Sequence, residues 1–111
     1  MKSITRRTLI QLGLSPAYKG YDAIVEAVEL LSQHKDTKIT AIYTLVAKKL
    51  DSTYSRVERN IRHAVEVILD RANDELLYKI FGYGVLVEGN IRNGDFLTCL
   101  TTYLQEVHNN G

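Results

Sequence analysis

Apolar residues recur three and four positions apart through most of the chain, which is the period of an amphipathic α-helix. With capping and helix-breaking residues taken as boundaries, the pattern predicts six helices in one all-α domain spanning residues 1–111. The predicted helices are Ser3 to Leu12, Tyr18 or Lys19 to Gln33, Thr40 to Leu50, Tyr54 to Asp70, one capped by Asn73 that runs to about Phe81, and one capped by Asp95 that runs to about His108. Residues 82–94 are rich in glycine and predict a loop, with Val85-Leu86-Val87 as a short extended piece.

The two predicted helices on either side of residue 51 form a candidate helix-turn-helix. In the first helix the apolar positions with helical period are Ile42, Leu45, Val46 and Leu50. Ala47 is small enough for a second helix to approach closely. The interruption at residues 51–53 is as short as a helix-turn-helix requires.

The residues of this turn predict where the second helix begins. Thr53 can cap that helix, because its hydroxyl can accept a hydrogen bond from an unpaired first-turn N–H group. Ser55, followed three residues later by Glu58, is an alternative capping-box start. Asp51 stands where many such turns have glycine, and we expect it to adopt capping or left-handed geometry at some energetic cost.

The helix predicted from residue 54 has one apolar and one polar face. Its apolar positions are Val57, Ile61, Ala64, Val65 and Ile68. The polar positions, at i, i+3, i+4 and i+7, are Arg56, Arg59, Asn60 and His63. Bidentate arginine and asparagine side chains can read guanine and adenine edges in the major groove of DNA. The alternative is a surface helix with a solvated charged side.

A set of candidate DNA contacts follows from these positions. The set comprises Lys48, Lys49, Thr53, Tyr54, Ser55, Arg56, Glu58, Arg59, Asn60, Arg62 and His63. We expect Arg59 to contact a base and Arg56 a phosphate, because recognition helices meet base edges about one turn from their start. The amide of Asn60 can pair with adenine N6 and N7, or it can bond only water or a phosphate.

The distribution of charge favours nucleic-acid binding more than the net charge of +1 does. Residues 48–63 contain five basic and two acidic side chains, a local net charge of +3, whereas the rest of the chain has a net charge of −2. This polarity can orient the domain on a phosphate backbone but predicts low affinity for one copy. A homodimer or a tandem arrangement on DNA would raise the affinity.

Composition argues against several other classes of protein. Hydrophobic residues make up 45% of the chain and charged residues 24%, as in ordinary soluble domains. Neither a membrane-spanning run nor a signal peptide is evident, so a cytoplasmic location without membrane association is expected. The single cysteine, Cys99, excludes an intramolecular disulfide and is predicted to be a buried thiol. Scattered histidines and the lack of a nucleophile–base–orienter set predict no metal site, no cofactor and no enzymatic activity.

Several short segments resemble a known family. They are Ala47-Lys48-Lys49-Leu50, residues 55–59, Ile61-Arg62-His63-Ala64 with Glu66-Val67, Leu12-Gly13-Leu14 with Pro16-Ala17, Lys19-Gly20-Tyr21 and Phe81-Gly82-Tyr83. Together they closely resemble the C-terminal effector domain of the master response regulator of sporulation initiation. The resemblance runs from about residue 4 to residue 107, and after Ala72 it consists mostly of spacing and apolar positions.

The resemblance implies a function and a set of DNA-reading positions. It implies a sequence-specific transcription regulator that binds short boxes resembling TGTCGAA. The positions that match the family's reading motif are Ser55, Arg56, Glu58, Arg59, Arg62 and His63. At the position of Asn60 the family has alanine. The family's RNA polymerase surface corresponds to residues 70–81, where this chain has substantially different residues.

The resemblance also identifies what the family uses for control. In that family a phosphorylated receiver domain relieves inhibition and promotes dimerisation on DNA, and no receiver domain is expected in this chain. The chain is therefore expected to be an excised effector domain or a free-standing relative. The alternative function is a protein-interaction module that retains the helix-turn-helix shape and antagonises a full-length regulator.

Overall fold

The computed structural model describes residues 1–110, which form seven α-helices. They are α1 (Lys2–Gln11), α2 (Lys19–Gln33), α3 (Ile39–Lys49), α4 (Tyr54–Arg71), α5 (Asp74–Phe81), α6 (Tyr83–Glu88) and α7 (Asn93–Asn110). The all-α fold and the helix-turn-helix of α3 and α4 are as the sequence predicts. Helices α1 to α5 begin and end within one residue of their predicted bounds, and Asn73 caps α5 by accepting the Leu76 N–H at 2.8 Å.

The segment between α5 and α7 differs from its prediction. Val85-Leu86-Val87 lies within the helix α6 and is not extended. Gly82, with φ 93°, separates α5 from α6, and Gly89, with φ 71°, ends α6 in left-handed geometry. The sequence predicts a loop here because six residues are too few to show a helical period, but the two glycines mark the ends of a short helix. Asp95 is also not a cap, since α7 begins at Asn93.

Helix α2 lies at the centre of the domain and packs against α1, α3, α4 and α7. Buried side chains come from α2, from the apolar face of α4 and from α7; the largest of them include Ile24, Ile61, Ile68, Phe96, Leu97, Leu100 and Leu104. The buried positions of α4 are the five that the sequence predicts. Cys99 is half-buried rather than fully enclosed, and burial, with the neighbouring Asp95, raises the pKa of its thiol.

The stripe that helix α3 turns toward the core matches the predicted one only in part, since Ile42 and Val46 are buried as predicted but Leu45 and Leu50 are not. Leu45 is 46% exposed and Leu50 is 37% exposed, whereas Tyr43 is only 5% exposed. The buried residues of α3 are Ile42, Tyr43, Val46 and Ala47. The apolar period predicts the helix correctly, but Ile42 and Val46 belong to two overlapping apolar stripes, one with Leu45 and Leu50 and one with Tyr43 and Ala47. The one that includes Tyr43 and Ala47 faces the neighbouring helices.

The start of α2 approaches the backbone of α4 very closely at Gly20. A Cβ atom built on Gly20 would lie 2.6 Å from the Ala64 Cβ, and the Asn60 carbonyl oxygen would be nearer still. Atoms cannot pack at such distances, so any side chain at this position would push the two helices apart. Gly20 therefore determines how tightly the first turn of α2 lies against the middle of α4.

Candidate nucleic-acid interface

The turn between α3 and α4 is a left-handed helix cap with aspartate at the glycine position. Asp51 has φ 52°, as its position in the sequence predicts. The Ser52 N–H donates to the Ala47 carbonyl at 2.8 Å, and the Asp51 N–H reaches the Lys48 carbonyl at 3.4 Å. This pair of hydrogen bonds is the Schellman pattern, which satisfies the last carbonyl groups of α3 and redirects the chain toward α4.

The start of α4 is set by Thr53 and not by Ser55. The Arg56 N–H donates to Thr53 Oγ1 at 3.2 Å, and Tyr54 is the first helical residue. The alternative capping box is therefore wrong. The Tyr54 ring packs edge-on against the Tyr43 ring, with centroids 5.3 Å apart and an interplanar angle of 89°. This aromatic pair joins the first residue of α4 to the buried side of α3.

The polar positions of α4 lie outside the core. Arg56, Arg59 and His63 are exposed, and Asn60 is half-buried because its backbone lies against Gly20. His63 remains on the surface, with Nδ1 3.9 Å from Glu66 Oε2 and its ring 5.9 Å from the Tyr18 ring. Arg56, Arg59 and His63 share the exposed side of α4, and Asn60 lies where this side borders α2.

Glu58 and Arg62 form a separate pair at the edge of this polar surface. The Arg62 guanidinium donates to Glu58 Oε1 at 2.6 Å across one helical turn. The backbone carbonyl of Glu58 accepts a hydrogen bond from Asn93 Nδ2 at 3.1 Å, which joins α4 to the start of α7. In this structure Arg62 is held by an intramolecular carboxylate, whereas Arg56 and Arg59 have no salt bridge within the described residues.

The two lysines at the end of α3 have different surroundings. Lys48 is exposed. Lys49 Nζ lies 3.2 Å from Glu26 Oε1, and Lys2 Nζ lies 3.0 Å from the other oxygen of the same carboxylate. Glu26 is only 8% exposed. Burial alone would raise the pKa of this carboxyl, but the hydrogen bonds from Lys2 and Lys49 outweigh that effect and lower it.

Sequence reasoning missed Glu26 and Lys19. The available signal for Glu26 was an acidic residue inside the apolar run from Ala23 to Val28, where a buried charge requires partners. No pattern in the sequence places Lys19 near α4, and only the folded structure brings the two together. Lys19 lines a cleft of about 460 Å³ together with Leu50, Asp51, Ser52, Arg56, Arg59 and Asn60. This cleft brings the first turn of α2 next to the polar side of α4.

The geometry defines a helix-turn-helix domain with a capped, basic second helix, which is the arrangement of DNA-binding effector domains. The family described as Sporulation initiation factor Spo0A C terminal matches residues 5–104, so the chain belongs to that family. It is a family of DNA-binding effector domains of sporulation regulators and not a family of enzymes. The match includes the helix-turn-helix and the helices on both sides of it. None of the helices in the described part of the chain is long and apolar enough to cross a membrane.

Proposed function

We propose that this chain is a sequence-specific DNA-binding transcription regulator whose α4 enters the major groove. The observation that carries the proposal is the exposure of Arg56, Arg59 and His63 along one side of α4, while its opposite side is buried. A helix held in this way can enter a groove about 12 Å wide without giving up its contacts to the domain.

The two arginines of this surface have different roles in the proposal. Arg59 lies about one turn into α4, where a guanidinium can donate to O6 and N7 of guanine. Arg56 lies in the first turn, where the helix meets the sugar–phosphate backbone, and it binds a phosphate. Asn60 follows Arg59 and carries an amide that can match adenine.

The other candidates surround these three residues. Lys48, Lys49, Thr53, Tyr54 and Ser55 lie around the start of α4, and Glu58, Arg62 and His63 lie further along it. Side chains around a helix start mainly position a protein on phosphates, whereas those that reach base edges give specificity. Glu58 and Arg62 must separate, or act as a pair, if either is to contact DNA, because they are bonded to each other in the free domain.

The modest local charge implies binding as more than one copy. A net charge of +3 over residues 48–63 supports few phosphate contacts, so one domain on one box binds weakly. Two domains on neighbouring boxes, as a homodimer or in tandem, would bind more tightly through effective concentration. This domain by itself is proposed to bind DNA without phosphorylation, because the polar side of α4 is already exposed in it.

The sign of regulation depends on surfaces outside α4. Repression requires only that the domain occupy a promoter. Activation would require RNA polymerase to contact residues 70–81, where Asp74, Glu75, Tyr78 and Lys79 are exposed. We propose occupancy as the basic mode of action, since it depends on the helix-turn-helix alone. The cytoplasmic location remains a prediction of the sequence.

A protein-interaction module, acting as an antagonist of a full-length regulator, is the second candidate function. It is favoured by exposed apolar side chains on α5 and α6, where Tyr78 is 57%, Tyr83 69% and Val87 65% exposed. Salt dependence separates the two candidates. DNA binding weakens steeply with salt through counterion release, whereas a mixed apolar–polar protein interface does not.

Selection of binding sites from a random duplex pool at moderate salt tests the proposal. The unchanged chain should enrich one short box, and Arg59→Ala should enrich a box in which the preference at one position is relaxed. Lys35→Ala provides a matched control, because it removes one exposed positive charge beyond the far end of α2. Failure of the unchanged chain to enrich any sequence would contradict sequence-specific binding and favour the interaction module.

A further inference from the structure

A cleft with an excess of positive charge lies beside the proposed reading helix. The first turn of α2 forms one wall through Lys19, and the turn at Asp51 and Ser52 forms another. Arg56 and Arg59 supply the wall on α4. The cleft has a volume of about 460 Å³, large enough to receive a phosphate group with part of its solvent shell. Three basic side chains and one acidic side chain line it.

The cleft exists because α2 lies unusually close to α4. Gly20, next to Lys19, leaves no space for a Cβ between its own backbone and the Asn60 carbonyl. Tyr18, on the other side of Lys19, lies 5.9 Å from the His63 ring, and the Arg71 guanidinium lies 5.6 Å from the Tyr18 ring centroid. These contacts on both sides hold Lys19 at the edge of the surface formed by the polar side of α4.

The basic groups of this cleft are available to an external anion. Within the described residues, Lys19, Arg56 and Arg59 form no salt bridge, unlike Lys49 and Arg62. Placing three cations around one concavity raises the local positive potential, which an anion would relieve. The start of α2 adds to this potential, because its cap residue, Tyr18, offers no side-chain acceptor to the first-turn N–H groups.

We propose that this cleft binds one phosphodiester of the DNA backbone, next to the bases that α4 reads, and that Lys19 is its principal ligand from outside the helix-turn-helix. This inference rests on the proposed function, since it requires α4 to be in the groove. Lys19 and Arg56 hold the phosphate from opposite walls, and Arg59 extends past it toward the base edges. α2 thereby fixes the register of α4 along the duplex.

The charge of Lys19 provides the first test, by titration of the selected box across a range of salt concentrations. Removing one phosphate contact should reduce the slope of log K against log salt by about 0.9. Because Arg56 still holds the same phosphate, Lys19→Ala should lower the slope by up to this amount. The ratio of the unchanged chain's binding constant to that of Lys19→Ala should then be up to about eightfold larger at 0.1 M salt than at 1 M. Lys35→Ala should leave the slope unchanged, and Lys19→Arg should retain most of the affinity. Equal slopes for Lys19→Ala and Lys35→Ala would overturn the proposal.

The position of the phosphate provides the second test. Duplexes carrying one uncharged methylphosphonate at successive backbone positions should weaken the unchanged chain at several positions. At one of these positions the substitution should weaken Lys19→Ala clearly less than it weakens the unchanged chain, because only Arg56 still holds that phosphate in the variant, and this position identifies the phosphate that Lys19 contacts. If no position shows this coupling, the cleft does not bind the DNA backbone. A shift of the Gly20 amide signal with inorganic phosphate alone, without coupling on DNA, would identify a site for free anions instead.

The two proposals fail in different ways. If the cleft is wrong but the function is right, Arg59→Ala will still relax the base preference at one position while Lys19→Ala behaves like the Lys35→Ala control. If the function is wrong, the unchanged chain will select no box and every variant will bind DNA equally weakly. Circular dichroism of Lys19→Ala should match that of the unchanged chain, because Lys19 is exposed and bonded to no other side chain in the described residues.

Discussion

Lys49, at the end of α3, and Glu26, in the middle of α2, form an ion pair with 3.2 Å between Nζ and Oε1. Lys2 completes the group at 3.0 Å from the other carboxylate oxygen. One nearly buried carboxylate therefore joins α1, α2 and the first helix of the helix-turn-helix. Lys49, a candidate phosphate ligand, consequently has a structural role as well, and its ammonium group is held in place before any DNA arrives.

Replacing Glu26 by glutamine should destabilise the domain by about 1–2 kcal/mol at neutral pH. The cost is moderate because the side chains of Lys2 and Lys49 are 31% and 57% exposed, and water screens part of the lost attraction. Urea unfolding monitored by circular dichroism measures the change. Glu106→Gln, which neutralises an exposed carboxylate of α7, is the matched control and should be nearly neutral.

The pH dependence of this difference follows from the direction of the pKa shifts. The pKa of Glu26 is lowered from 4.5, so its contribution to stability is present above about pH 4.5 and is lost as the pH falls through the lowered value. The hydrogen bond to Glu26 raises the pKa of Lys2 from 10.5, so that contribution is complete below pH 10.5 and is lost above the raised value. The difference in free energy of unfolding between the unchanged chain and Glu26→Gln should therefore become smaller in acid. A difference in free energy of unfolding that stays constant from pH 7 to pH 3 would contradict this account.

Asp51→Gly should raise the stability of the domain by about 0.5–1 kcal/mol. Asp51 has φ 52°, a conformation that costs a residue with a Cβ about 1–2 kcal/mol, and glycine avoids most of this cost. Part of the gain is offset by the greater freedom of glycine in the unfolded chain. Asp51→Ala should not gain this stability, because alanine keeps a Cβ and with it the cost of the positive φ. Equal denaturation midpoints for the glycine and alanine variants would show that the turn is not strained.

Local signals in the sequence predicted the helix-turn-helix well. The cap at Thr53, the left-handed turn at Asp51 and the apolar face of α4 all depend on residues a few positions apart. The inner stripe of α3 was not determined locally, since Leu45 and Tyr43 were both plausible core residues. In the structure Tyr43 is buried and its ring packs against Tyr54, while Leu45 faces outward.

The features that the sequence did not reveal depend on contacts between distant parts of the chain. Gly20 meets Asn60, forty positions away, and Glu26 meets both Lys2 and Lys49. No periodicity indicates such contacts, so the cleft at Lys19 could not be predicted from spacing. The helix α6 is not predicted for a different reason. It has only six residues, and the glycines at its two ends are also typical of a loop.

Arg59→Ala and Arg56→Ala should weaken DNA binding in different ways. Arg59→Ala loses a bidentate contact to guanine, so its free energy of binding to the selected box should be about 1–3 kcal/mol less favourable and its preference at one position should be relaxed. Losing its part of a phosphate contact should lower the affinity of Arg56→Ala for all sequences alike and reduce the salt slope by up to about 0.9. Fluorescence anisotropy on the selected box and on single-base variants measures both effects. Unchanged affinity and preference in Arg59→Ala would show that Arg59 does not read a base.

Asn60→Ala should change which base is preferred at a single step of the box. Asn60 is half-buried, and its backbone lies against Gly20, so its side chain leaves α4 from a fixed position next to Arg59. An amide held there can donate to adenine N7 and accept from N6, whereas alanine can contact only a thymine methyl group. The resemblance implies alanine at this position in the family, so the variant is expected to shift toward that family's usual box. Binding of the unchanged chain and of Asn60→Ala to a library of box variants measures the shift.

Because the substitution removes no charge, the salt slope should stay the same, which separates loss of base reading from loss of a phosphate contact. A uniform loss over all boxes, or no change at all, would mean that Asn60 positions the helix or faces solvent.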